Sequence, residues 1–142
     1  MNASASEVYD GPRCTCTVLI VEDDVLLRMM AADIVDDLGF AVREAASADE
    51  AILLLETHDD ISIVFTDIQM PGSMNGLQLA VRTRQQKPAV GLVIVSGEHT
   101  PDADQIPDGA LFFAKPYNPV VLQAALMQLS TAAPETHLPD VR

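Results

Sequence analysis

Thr17-Val18-Leu19-Ile20-Val21-Glu22-Asp23-Asp24 is the stretch that decides the fold. Consecutive β-branched and aliphatic residues run without a polar break into three carboxylates. A run that is apolar at every position, not at alternate ones, marks a strand covered on both faces, as in a parallel sheet lying between helices. Residues 61–65, 90–95 and 110–114 are nearly continuous apolar stretches of the same kind. Phe40-Ala41-Val42-Arg43-Glu44 instead turns polar after Val42, which suits an edge strand.

Helical patterns lie between these runs. Over residues 24–38, Leu27, Ala31, Ile34 and Leu38 recur at helical spacing, and Gly39 follows as a stop. Ser47-Ala48-Asp49-Glu50 has the form of a capping box and predicts a helix through Thr57. Leu77, Ala80, Val81 and Arg84 mark a third helix, ended by Lys87-Pro88. Asn118-Pro119 supplies an N-cap and a proline at the first helical position of a last helix, through Ser130. Strands alternating with helices imply an α/β fold, doubly wound, with a mostly parallel sheet and helices on both faces. Residues 96–109 are the exception. Pro101 and Pro107 interrupt them and Ile106 is their one large aliphatic residue, so a single helical turn near residues 102–106 is expected in place of a long helix.

The length of 142 residues fits one domain, read as a flexible leader over 1–16, a folded unit over 17–130 and a tail over 131–142. Hydrophobic residues make up 49% and aromatic residues only 4% with no Trp, so the core must rest on aliphatic side chains. The formal charge of −13 repels a phosphate backbone and an anionic membrane, which argues against direct nucleic-acid binding and membrane insertion. No run of 18 apolar residues occurs, and the first dozen residues lack the basic and apolar regions of a secretion signal, so a cytoplasmic location is expected. Cys14 and Cys16 read as reduced thiols: a metal site needs more soft ligands, and so close a pair would form a strained disulfide.

In a doubly wound sheet, ligands bind beyond the carboxyl ends of the strands. Glu22, Asp23 and Asp24 follow the first run, Thr66 and Asp67 the third, Ser96 the fourth and Lys115 the fifth. Carboxylates gathered without a counter-charge repel one another, and a hard cation such as Mg²⁺, with Mn²⁺ as an alternative, relieves this through oxygen ligands. Lys115 is suited to meet a carboxylate or a phosphoryl group as a point charge. Singly, Glu22-Asp23-Asp24 reads equally well as a solvated turn and helix cap, and Asp67, Ser96 and Lys115 are weak or moderate signals that a cap, a turn or a surface charge also explains. Together, at successive strand ends, they have the parts of a phosphoryl-transfer site: metal ligands, a carboxylate nucleophile, a hydroxyl and a cation.

Val18-Leu19-Ile20-Val21-Glu22-Asp23-Asp24, Phe65-Thr66-Asp67-Ile68-Gln69-Met70-Pro71 with Met74-Asn75-Gly76-Leu77, Val93-Ile94-Val95-Ser96-Gly97 and Phe113-Ala114-Lys115-Pro116 resemble, in order and spacing, the receiver domain of two-component response regulators. The resemblance covers residues 17–130. It implies a flavodoxin-like five-stranded sheet in the order 2-1-3-4-5, with Asp67 as the phosphoacceptor. It further implies Glu22, Asp23, Asp67 and the backbone carbonyl of Gln69 as metal ligands, Ser96 and Lys115 as phosphoryl-binding groups, and Ser96 with Phe112 as switch residues. The implied partners are a histidine kinase or phosphotransfer protein and a downstream protein, the chain being a monomer or a phosphorylation-linked homodimer. It would be no enzyme beyond phosphorylation and dephosphorylation of its own Asp67. No output domain follows, so a stand-alone receiver is expected.

Two departures stand out. Gly72-Ser73-Met74 lengthens the loop after Met70-Pro71 by one residue, and the fourth helix is shortened or irregular. Alternatives are a degenerate receiver acting only as an interaction module, and a Mg²⁺-dependent aspartyl-phosphate phosphatase. The phosphatase would need a second Asp as acid–base where Gln69 stands. A flavin or nucleotide module would need a glycine- or hydroxyl-rich turn where Glu22-Asp23-Asp24 lies.

Overall fold

The computed structural model describes residues 16–98 and 100–132. Strands β1 (Thr17–Val21), β2 (Ala41–Ala45), β3 (Ile61–Asp67), β4 (Gly91–Ser96) and β5 (Leu111–Ala114) alternate with helices α1 (Val25–Asp37), α2 (Ala48–Thr57) and α3 (Gly76–Gln86), and α4 (Pro119–Ala132) follows β5. All strand pairs are parallel, in the order β2-β1-β3-β4-β5. The doubly wound sheet expected from the sequence is therefore present, with β2 at an edge.

Alternate residues of a strand face opposite sides of the sheet. Val18 and Ile20 join Ile63, Phe65, Val93 and Val95 under α1 and α4, against Ala31, Val35, Leu122 and Leu126. Leu19 and Val21 join Val64, Leu92 and Ile94 under α2 and α3, against Ala51, Leu55, Leu79 and Ala80. Two apolar layers on one sheet explain why the runs of β1, β3 and β4 are nearly continuous in apolar residues. Each fully buried Leu, Ile or Val contributes about 1.5–3 kcal/mol, so aliphatic residues suffice without Trp.

Caps fix where the helices begin, and so where the strand-end loops stop. Asp24 accepts from the Leu27 N–H, Ser47 from Glu50, Asn75 from Gln78 and Asn118 from Val120. Gln78 returns the bond to the Asn75 N–H. A cap of this kind contributes about 1 kcal/mol.

The structure amends several readings. In α1 the buried residues are Ala31, Ala32 and Val35, while Leu27 is 42% exposed. Small Ala31 and Ala32 face the sheet, which leaves Leu27 and Ile34 on the flank of the helix. In α3 the buried face is Leu79, Ala80 and Thr83, one residue away from the Leu77–Val81 stripe, and Val81 is exposed. Helix α4 continues to Ala132. Cys16 is buried, and it is disulfide-bonded where a reduced thiol was expected. Cys14, the rest of the expected leader and the expected tail beyond Ala132 lie outside the described residues.

Among the described residues between β4 and β5 the one helical element is a 3₁₀ turn at Ala103–Gln105, as the prolines and sparse apolar residues imply. Gln105 Oε1 accepts from the Asp102 N–H. Pro101 is buried, and Ile106 packs against the α2–α3 side of the core. Among the described residues no helix is long and apolar enough to cross a membrane.

Candidate functional site

Parallel pairing brings the strand ends to one edge, and register sets which residues meet there. Val21 lies opposite Thr66, Asp67 opposite Val95, and Ser96 opposite Ala114. Glu22 and Lys115 are each the next residue after these pairs, so the topology gathers Glu22, Asp67, Ser96 and Lys115. The Lys115 N–H donates to Ser96 C=O at 2.9 Å, and a cis peptide bond joins Lys115 to Pro116.

Lys115 Nζ lies 3.1 Å from Asp67 Oδ2 and 3.3 Å from Glu22 Oε1. Both carboxylates are nearly buried, at 6% and 7% exposure. Asp67 Oδ1 is buried with no hydrogen-bond partner among the described residues. A buried carboxylate oxygen left unpaired is costly, and it marks a place made for something else to bind. Burial raises the Glu22 carboxyl above its usual range, the Asp67 charge adds to this, and the Asp24 N–H and Lys115 oppose it. For Lys115, burial acts to lower the ammonium's value. The hydrogen bond and charge of Asp67, with the charge of Glu22, outweigh it and hold Lys115 above the usual lysine range.

Asp23 is exposed at the mouth of this cluster. One carboxylate oxygen from each of Glu22, Asp23 and Asp67 lies within 4.8 Å of the others. That set of hard oxygens, with Asp67 Oδ1 open, fits a small divalent cation such as Mg²⁺.

Of the residues singled out in the sequence, Glu22, Asp23, Asp67 and Lys115 form one cluster. Ser96 is 2% exposed, and its hydroxyl donates to Gln69 Oε1 at 3.0 Å while accepting from the Glu98 N–H at 3.3 Å. The Gln69 side chain thus reaches Ser96 from the loop after β3. Phe112 is partly buried on β5, against the same side of the core as Ile106.

Other contributors escaped the sequence reading. Gly76 opens α3, its N–H donates to Ile68 C=O, and a Cβ built there collides with the Asp67 carbonyl. The Asn75-Gly76 pair signalled a turn in the sequence, and the close approach to β3 is visible only once the helix is placed. In the lengthened loop, Gly72 adopts φ +114° and the Ser73 hydroxyl donates to the Asp49 carboxylate on α2. Arg28 donates to the Glu22 C=O at 2.9 Å and pairs with Glu44, fixing the backbone of the acidic turn.

Beside the cluster, a groove of about 570 Å³ runs between α1 and residues 115–119. Leu27, Met30 and Ile34 wall it, and Tyr117 stands edge-on to Phe65 with ring centroids 5.7 Å apart. The displaced α1 stripe therefore lines this groove. Val25, Leu26, Met29 and Met30 extend the apolar surface over the first half of α1, each more than half exposed.

Comparison with known proteins agrees with this geometry. Residues 18–127 match the model of the response regulator receiver domain. The chain is 36% identical over 83 residues to a glycerol metabolism activator of Pseudomonas putida, covering 57% of this chain and 37% of that protein. It is 36% identical over 84 residues to the sensor kinase CckA of Brucella abortus, covering 58% of this chain and 9% of that one. The chain thus spans well under half the length of these two relatives. A solved response regulator receiver protein from Sinorhizobium medicae superposes with a TM-score of 0.79 at 28% identity, over 84% of this chain and 97% of that one.

Proposed function

This chain belongs to the response regulator receiver domain family, and from that premise we propose that Asp67 is its phosphoacceptor. The donor is a histidine kinase or phosphotransfer protein, and a second protein reads the result. The observation that carries this reading is the Asp67 carboxylate itself: Oδ2 is held by Lys115 and Oδ1 is buried and open. In the reaction an Asp67 oxygen attacks phosphorus in line, the O–P bond forms as the P–N bond of phosphohistidine breaks, and the imidazole leaves. Lys115 offsets the charge that gathers on the transferred group. Glu22, Asp23, Asp67 and the Gln69 backbone carbonyl would hold Mg²⁺, or Mn²⁺ in its place, and such a cation would supply further neutralisation of negative charge during the transfer.

The domain turns over no external substrate; its chemistry is the gain and loss of its own phosphoryl group. Ser96 and Phe112 change position on phosphorylation and alter the partner surface. The exposed Val25, Leu26, Met29 and Met30 beside the site offer an apolar face to a protein partner. Phosphorylation-linked pairing of two copies is a further form of output. The acidic surface favours protein over nucleic acid as the direct target, and the cytoplasm is the compartment consistent with the donor.

The test is incubation with acetyl phosphate and Mg²⁺, followed by intact mass. Gain of one phosphoryl group that depends on the cation is expected. No gain in the presence of Mg²⁺ would leave the interaction module as the better reading.

A further inference from the structure

A serine hydroxyl has one proton to donate. Here Ser96 donates it to the Gln69 side-chain carbonyl at 3.0 Å, and the same oxygen accepts from the Glu98 N–H. Phosphoryl oxygens are acceptors, so Ser96 can bond to a phosphoryl group on Asp67 only by giving up Gln69. Because Ser96 is 2% exposed, bulk water is not the alternative acceptor for its proton in either state. The two acceptors therefore compete for one proton.

We propose that the Gln69 side chain is a positioning residue: it holds the Ser96 hydroxyl in its resting orientation and sets the threshold for the switch. This rests on Asp67 being the phosphoacceptor. The Gln69 side chain is distinct in role from the Gln69 backbone carbonyl, which every substitution at this position keeps. Exchange of Gln69 for a phosphoryl oxygen also disturbs the Glu98 N–H bond to Ser96, and Glu98 lies in the connection to the 3₁₀ turn. The arrangement thus links the chemistry at Asp67 to the segment that replaces a fourth helix.

The experiment is titration of beryllofluoride, a phosphoryl mimic, in the presence of Mg²⁺. It compares wild type, Gln69→Met, Gln69→Ala, Ser96→Ala and the Gln69→Met/Ser96→Ala double variant. Gln69→Met keeps the volume and removes the acceptor, and Gln69→Ala gives a second readout should the first fail to fold. A net hydrogen bond of about 1 kcal/mol corresponds to about fivefold tighter binding in either Gln69 variant. The gain must vanish in the Ser96→Ala background, which a general loosening of the loop would not require. The Glu98 amide resonance of the unliganded Gln69 variants is expected to move. Unchanged affinity in both Gln69 variants, or a gain that survives Ser96→Ala, overturns the positioning role while leaving the phosphoacceptor reading intact. A wild type that does not bind the mimic at all overturns both.

Discussion

Gly76 stands in the first turn of α3 with the Asp67 carbonyl where its Cβ would be. A methyl group there must push α3 away from β3 or tilt the peptide that carries Asp67. Gly76→Ala is expected to destabilise the fold by about 1–3 kcal/mol, and to slow acetyl-phosphate labelling even where the protein remains folded. Denaturant unfolding and intact mass measure the two effects, and a neutral outcome in both would contradict the close approach. Glu22 yields a pH prediction. Its carboxyl titrates above the ordinary 4.5, first through burial and then through Asp67. The native state therefore holds a proton in a window where the unfolded chain has lost it, so the ion-free fold loses stability as pH rises through that window. Cation binding runs the other way, since a ligand must be deprotonated. Mg²⁺ affinity should fall on acidification with a midpoint above 4.5, and a midpoint at or below it would contradict the buried geometry. Strand-end position pointed to Glu22, Asp23, Asp24, Asp67 and Lys115, and the structure gathers all of these but Asp24, which caps α1. The Gln69 contact and the Gly76 approach were not legible, since side-chain direction in a loop and helix-to-strand distance have no periodic signature.

At the scale of elements, the segment between β4 and β5 was readable in advance, because two prolines and a single large aliphatic residue leave no amphipathic stripe. Among the described residues of this segment, Pro101 is buried, Ile106 packs against the core and one 3₁₀ turn forms. So few apolar anchors predict low protection of the backbone amides, and an increase in protection when beryllofluoride and Mg²⁺ draw Ser96 toward Asp67. Hydrogen exchange measures this directly. Unchanged protection there, with a clear change around Phe112, would make the segment a passive connector. Helix α1 was harder to read. Its apolar residues surround much of the helix, so periodicity selected Leu27, Ala31, Ile34 and Leu38, while the sheet took Ala31, Ala32 and Val35. Close packing prefers the small face, and the larger residues were left for the groove and the surface.

Across the whole molecule, the doubly wound order followed from alternation of strand and helix patterns, and the receiver motifs supplied the number and order of strands. Cys16 shows the limit of that reasoning, because a local argument from strain chose the thiol and the chain formed the bond. The global charge of −13 raises the cost of gathering carboxylates at one sheet edge, and a bound cation offsets it. Mg²⁺ at about 100 times its Kd should stabilise the fold by about 2.7 kcal/mol, a rise in Tm of roughly 10 °C. Thermal unfolding with and without the cation tests this, and Asp23→Ala should lose most of the rise. Equal shifts in wild type and Asp23→Ala would place the cation elsewhere. The central claim, that the phosphoryl group is carried by Asp67, is tested most directly by borohydride trapping. Reduction converts an aspartyl phosphate to homoserine, so protein labelled with acetyl phosphate and Mg²⁺ should yield homoserine at position 67 by peptide sequencing, and none in Asp67→Asn. Label or homoserine at another position, or undiminished labelling of Asp67→Asn, would contradict the account.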